Sequence, residues 1–81
     1  MALVKLVDIQ NMESLRKRRN EEYFKMSVPA SGSIIKHYKF NEDDCFKGEF
    51  ELYKVVQVIQ ELQEFWNGLY EERFEIHLVK L

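Results

Sequence analysis

The 81-residue chain has one cysteine, one proline and three glycines, and its net charge is only −2. Each scarcity closes off a class of protein. A lone Cys45 cannot form an intramolecular disulfide, so the staple common in small secreted domains is missing. One proline among 46% hydrophobic residues is the composition of a chain that folds, not of a disordered tail. Apolar runs stop at four residues, far short of the ~20 a membrane helix needs. No membrane partner is expected. Lys5 and Asp8 interrupt the apolar start MALVKLVDIQ, which therefore lacks the neutral stretch of a signal peptide, and a cytoplasmic location is expected. Glycine is too sparse for a phosphate-cradling loop: SVPASGS, residues 27–33, has one glycine and no terminal Gly-Lys. No cofactor is implied.

The small net charge hides an uneven distribution. Residues 1–40 hold eight Lys/Arg against four acids, and residues 41–81 hold four against ten, so the halves carry +4 and −6. Such a split suits either a basic binding face with an acidic counter-face or two halves that attract on folding.

The apolar pattern predicts one α+β domain spanning 1–81. ALVKLVDI, residues 2–9, is apolar on both sides of Lys5 and reads as a central strand. Asn11 as N-cap opens a helix over 12–26, with Met12, Leu15, Tyr23 and Met26 on one face. After the loop at 27–33, SIIKHYKF reads as a strand with Ile34, Tyr38 and Phe40 inward and His37 and Lys39 outward. Past an acidic turn at 41–44, FKGEF alternates as a hairpin partner. From Glu51, Leu52, Val55, Val56, Ile59, Leu62, Trp66 and Leu69 recur at helical spacing until Asn67-Gly68 supplies a stop. RFEIHLVKL alternates again, with Phe74, Ile76 and Leu78 on one face. The order β-α-β-β-α-β predicts a ferredoxin-like sandwich with two helices on one face of an antiparallel sheet. If FKGEF joins the helix instead, the result is a three-stranded βαβαβ sheet.

Chemistry-bearing clusters are few. Arg16-Lys17-Arg18-Arg19 is dense enough to meet nucleic-acid phosphates, although on a helix four consecutive side chains spread around the circumference. KGEFELY, residues 47–53, resembles the basic-Gly-aromatic start of an RNA-recognition-motif strand, but Glu49 and Glu51 stand where that family has base-stacking aromatics. The position of Asp8, ending the first strand, is similar to that of the acidic residue in small ferredoxin-like metal-dependent nucleases; the plainer role is a turn residue or helix cap. His37 with Lys39 and His77 with Glu75 carry acid–base groups, on strands that a ferredoxin-like order puts at opposite sheet edges. No pair among His37, Cys45 and His77 has the close spacing of a zinc motif, so no metal site is assigned.

The second helix has the strongest signal. Val58, Leu62, Phe65 and Leu69 form a second apolar line beside its core stripe, wider than one sheet face needs, and are expected to form an oligomer interface. The expected function is thus a small non-enzymatic binding or regulatory protein working through protein–protein recognition as a homodimer. A basic N-terminal helix or the Glu42-Asp43-Asp44 turn would meet the target. Viruses and mobile elements encode many small stand-alone proteins of this kind. The alternative is a nucleic-acid-binding regulator using Arg16, Lys17, Arg18 and Arg19; a metal-dependent nuclease ranks third.

Overall fold

The computed structural model describes residues 1–15, 21–39 and 48–81. These form six strands: β1 (Ala2–Asp8), β2 (Glu13–Ser14), β3 (Tyr23–Met26), β4 (Ile34–Tyr38), β5 (Phe50–Glu64) and β6 (Tyr70–Lys80). They make one mixed sheet in the order β2-β1-β6-β5-β4, with β3 also on β1. β3 pairs with Ala2–Lys5 and β2 with Val7–Asp8, so the two short strands share one edge of β1. The β1–β6 pair is parallel, and every other pair is antiparallel.

No helix occurs among the described residues, which overturns both the ferredoxin-like βαββαβ sandwich and the three-stranded βαβαβ alternative. The first expected helix, 12–26, fails at its cap. Asp8 accepts hydrogen bonds from the Gln10 amide (3.1 Å) and from Asn11 Nδ2 (2.9 Å), locking residues 8–11 into a local turn. Asn11 is thereby spent as a donor in the turn. Met12 follows at φ 54°, outside the right-handed helical region, and the chain returns along β1 with the Leu15 amide on the Leu6 carbonyl at 2.9 Å.

The second expected helix is β5. Val55, Val56, Val58 and Ile59 place four β-branched residues within five, a composition that favours extended backbone. The helical spacing has a different origin, a β-bulge. Val55 pairs with Leu78 and Gln57 with His77, leaving Val56 as an extra residue that shifts the inward alternation from Tyr53 and Val55 to Val58. A strand with one bulge thus shows the i, i+3 steps of a helix. Asn67-Gly68 ends no helix either; it turns the β5–β6 hairpin. The Gly68 amide donates to the Phe65 carbonyl (3.0 Å), the Phe65 amide to the Leu69 carbonyl (2.8 Å), and Gly68 sits at φ 82°, the left-handed position that closes a three-residue hairpin loop.

The core lies on one face of the sheet. Val4, Leu6, Tyr53, Val55, Ile76 and Leu78 form it, and Leu15, Phe24, Met26, Val28, Ile35, Val58 and Phe74 are among the residues packed against it. β6 keeps the expected phase, with Ile76 and Leu78 fully buried. β4 has the opposite phase: Ile35 packs on the core, whereas Ile34 is 54% exposed. Pairing of Ile35 with Tyr53 and His37 with Glu51 turns His37 toward the core side and Tyr38 away from it. Phe40, the 41–44 turn and residues 45–47 of the expected hairpin lie outside the described residues.

Candidate functional site

β5 and β6 outrun their neighbours. β4 reaches along β5 to Lys54, and the Val55 carbonyl and amide meet the Gly32 amide and Ser33 carbonyl (2.8 and 2.9 Å). On the other side, β1 reaches along β6 as far as Phe74. Beyond those points the register continues through Glu61–Arg73, Leu62–Glu72, Gln63–Glu71 and Glu64–Tyr70, paired among the described residues only with each other. The result is a two-stranded arm. Its base is held by Arg73, whose guanidinium lies 5.2 Å from the Tyr23 ring of β3.

Along the arm, polar side chains dominate. Glu61, Glu64, Glu71 and Glu72 face a single Arg73, which makes this segment acidic. Gln60 Nε2 donates to Glu72 Oε2 at 2.7 Å, and Arg73 approaches Glu71 at 3.5 Å. At the end the chemistry changes. Leu62, Leu69 and Tyr70 are each more than 60% exposed, Phe65 is 43% exposed, and Trp66 is 98% exposed. Leu62, Phe65 and Tyr70 line an open recess of about 510 Å³ with Gln60, Glu64, Gly68 and Glu72. Hydration of a whole indole and two aliphatic side chains at the corner of a fixed turn is unfavourable, and contact with another molecule relieves it. The turn is stiffened by Leu69 donating its amide to Asn67 Oδ1 at 3.1 Å.

A second cluster gathers at the other end of β5, on the core side. Glu51 accepts from the Tyr53 hydroxyl (2.5 Å) and from Lys80 Nζ (3.1 Å), with Lys39 Nζ at 3.7 Å and His37 opposite it in the ladder. The Tyr53 hydrogen bond, then the Lys80 one, lowers the Glu51 pKa to about 2. Burial, then the same hydrogen bond, pushes the Tyr53 hydroxyl above its ordinary value, and burial also pushes His37 below its own. A carboxylate whose pKa is held near 2 by a hydroxyl and a neighbouring ammonium is too weak a base to take a proton near neutrality. The arrangement ties strands together.

The expected site residues fall as follows. Leu62, Phe65 and Leu69 gather at the arm's end, brought there by a hairpin and not by a helix face, while Val58 packs against the core at its base. Arg16, Lys17, Arg18, Arg19, Cys45 and Glu42-Asp43-Asp44 lie outside the described residues. Asp8 is buried with both carboxylate oxygens engaged in its own turn. His37 and His77 project from opposite faces of the sheet, because His37 shares the side of Tyr53 while His77 pairs with Gln57 and alternates with buried Leu78. His77 Nε2 lies 3.1 Å from Glu75 Oε2. Among the described residues, no three metal-ligating side chains converge, and no helix is long and apolar enough to cross a membrane. Trp66 and Tyr70 lie at the arm's end outside the expected interface; the Asn-Gly pair between two β-prone segments is the sequence signal for them. Comparison with protein-family models, curated proteins and solved structures returns no match.

Proposed function

We propose that the protein is a recognition module that works through protein–protein contact at the tip of the β5–β6 arm, acting as a homodimer. The observation that carries the reading is the 98% exposure of Trp66 at a rigid turn, flanked by Leu69 and Tyr70. Tryptophan and tyrosine supply large contact area at low conformational cost, and they dominate binding energy where they seat in a partner. The acidic arm makes a polar rim around an apolar centre, the usual anatomy of a protein interface. Four glutamates against one arginine repel phosphate, so the tip suits protein better than nucleic acid.

The test compares immobilised wild type with Trp66→Ala and with Leu69→Ser in protein capture and self-association. Both variants are expected to fold, because neither side chain enters the core, and to lose bound protein. Unchanged capture and unchanged self-association in both would refute the reading.

A further inference from the structure

The end of β5 opposite the arm carries a second exposed apolar patch, on the outer side of the sheet. The pairs Ile34–Lys54, Lys36–Leu52 and Tyr38–Phe50 share that face, turned away from the core-side residues Ile35, Tyr53 and Val55. Ile34, Phe50 and Leu52 are 54%, 46% and 38% exposed. Lys36 Nζ lies 4.0 Å from the Phe50 ring centroid and 5.2 Å from that of Tyr38, and the two rings are 5.5 Å apart. These six positions hold two lysines and no carboxylate. The tip has the reverse character, apolar with Glu64 and Glu71 beside the turn and Glu61 and Glu72 behind them.

One copy cannot bring the two together. Leu52 and Trp66 are 14 residues apart, the first in β5 and the second in the turn at its far end, a span on the order of 40 Å for extended chain. A second copy laid antiparallel alongside the first solves this. Because tip and patch stand at opposite ends of the same strand, that arrangement brings each tip to the other copy's patch, and one twofold axis closes both contacts at once.

We propose that the occupant of the Ile34/Lys36/Phe50/Leu52/Lys54 patch is the arm tip of a second copy, in a reciprocal dimer with Trp66 and Leu69 as the apolar contact and Glu61 and Glu71, which share the outer side of the arm, set against Lys36 and Lys54. This rests on the reading of the tip as a protein-binding element.

The decisive experiment is analytical ultracentrifugation of the full chain and of two variants, a tip variant Trp66→Ala and a patch variant Lys36→Glu/Lys54→Glu, with circular dichroism confirming that each is folded. Wild type is expected to be dimeric at micromolar concentration. Trp66→Ala should weaken the dimer by about thirtyfold or more, as for a hot-spot tryptophan, and Leu69→Ser serves in its place if the first variant fails to fold. The patch variant should weaken it too. An equimolar mixture of tip and patch variants should associate more strongly than either alone, since it restores one of the two tip–patch contacts. A monomeric wild type, a patch variant that dimerises like wild type, or a mixture no stronger than its components would each overturn the reciprocal dimer. A monomeric wild type whose capture of another protein still depends on Trp66 overturns the dimer alone and leaves the recognition reading standing. Loss of neither activity in the tip variants removes both.

Discussion

Truncating Ile76 tests how this protein is held together. Ile76 is fully buried in β6, with Leu6 as its neighbour in β1 and Val58 in β5. Shortening a buried isoleucine to alanine costs roughly 2–5 kcal/mol, the loss of transfer free energy plus a cavity term. A chain of 81 residues has a total stability of roughly 4–12 kcal/mol at the usual 0.05–0.15 per residue. Ile76→Ala, at about 3 kcal/mol, thus removes a quarter or more of what holds the fold. Its melting temperature should drop by about 12–24 °C, at 4–8 °C per kcal/mol for a domain this size. The matched control is Ile34→Ala, a change of the same atoms at a 54% exposed site on the other face, expected to cost about 0.5 kcal/mol or less. Urea titration followed by far-ultraviolet circular dichroism, run dilute so that association does not contribute, measures both. Trp66 fluorescence is the wrong probe for a monomer, because an indole already 98% exposed changes little on unfolding. Equal losses at Ile76 and Ile34, or a loss below about 1 kcal/mol at Ile76, would refute a core confined to this face of the sheet.

Four further perturbations bear on named elements. A Glu51 pKa held near 2, against an ordinary 4.5, means that its stabilising contribution is complete above about 4.5 and disappears as pH falls toward 2; Tyr53→Phe should flatten that limb in acid-unfolding curves. His37, pushed below its ordinary 6.5, favours the neutral ring in the fold, so stability should fall as pH drops below 6.5, and His37→Gln should abolish that slope. Asp8→Asn should destabilise by about 1–3 kcal/mol in the same urea assay, because both oxygens of Asp8 face N–H donors and an amide nitrogen there cannot accept. Gly68→Ala meets no neighbour within 4 Å but must hold φ 82°, at about 1–2 kcal/mol. Hydrogen exchange should quicken most at the arm residues around that turn.

What the sequence reveals depends on whether local pattern and pairing agree. β1 is legible because it is apolar on both faces and so reads as an interior strand, and β6 because it keeps one alternation, so Ile76 and Leu78 fall inward as their spacing predicts. β5 is not, because its bulge breaks the alternation at Val56, and the broken period coincides with that of a helix. β4 is ambiguous at Ile34-Ile35, where two adjacent isoleucines allow either phase. The ladder to β5 selects Ile35, whose partner is the buried Tyr53, and the exposed Phe50 and the half-buried Tyr38 are left beneath Lys36. Leu62, Phe65 and Leu69 stay together for a geometric reason: they are close in sequence near a reversal, so a helix and a hairpin both bring them together. Trp66 is different, since a helix turns it into the core stripe and a hairpin loop turns it into solvent.

A strand that runs past its neighbours exposes a row of backbone donors and acceptors, an invitation to edge-to-edge aggregation. β5 does so from Val56 to Glu64 among the described residues, and its polar sequence there answers the hazard: Gln57, Gln60, Glu61, Gln63 and Glu64 keep every apolar run to two residues or fewer. Glu71 and Glu72 do the same on β6. Charges on both strands oppose edge-to-edge pairing of two arms tip beside tip, because that would set glutamate against glutamate. The apolar surface that remains is confined to the turn and the residues next to it, where backbone pairing has ended and side chains alone make contact. The arm is guarded along its edges and apolar at its end, which is why the proposed contact is placed at the tip and its proposed partner surface where lysine replaces glutamate.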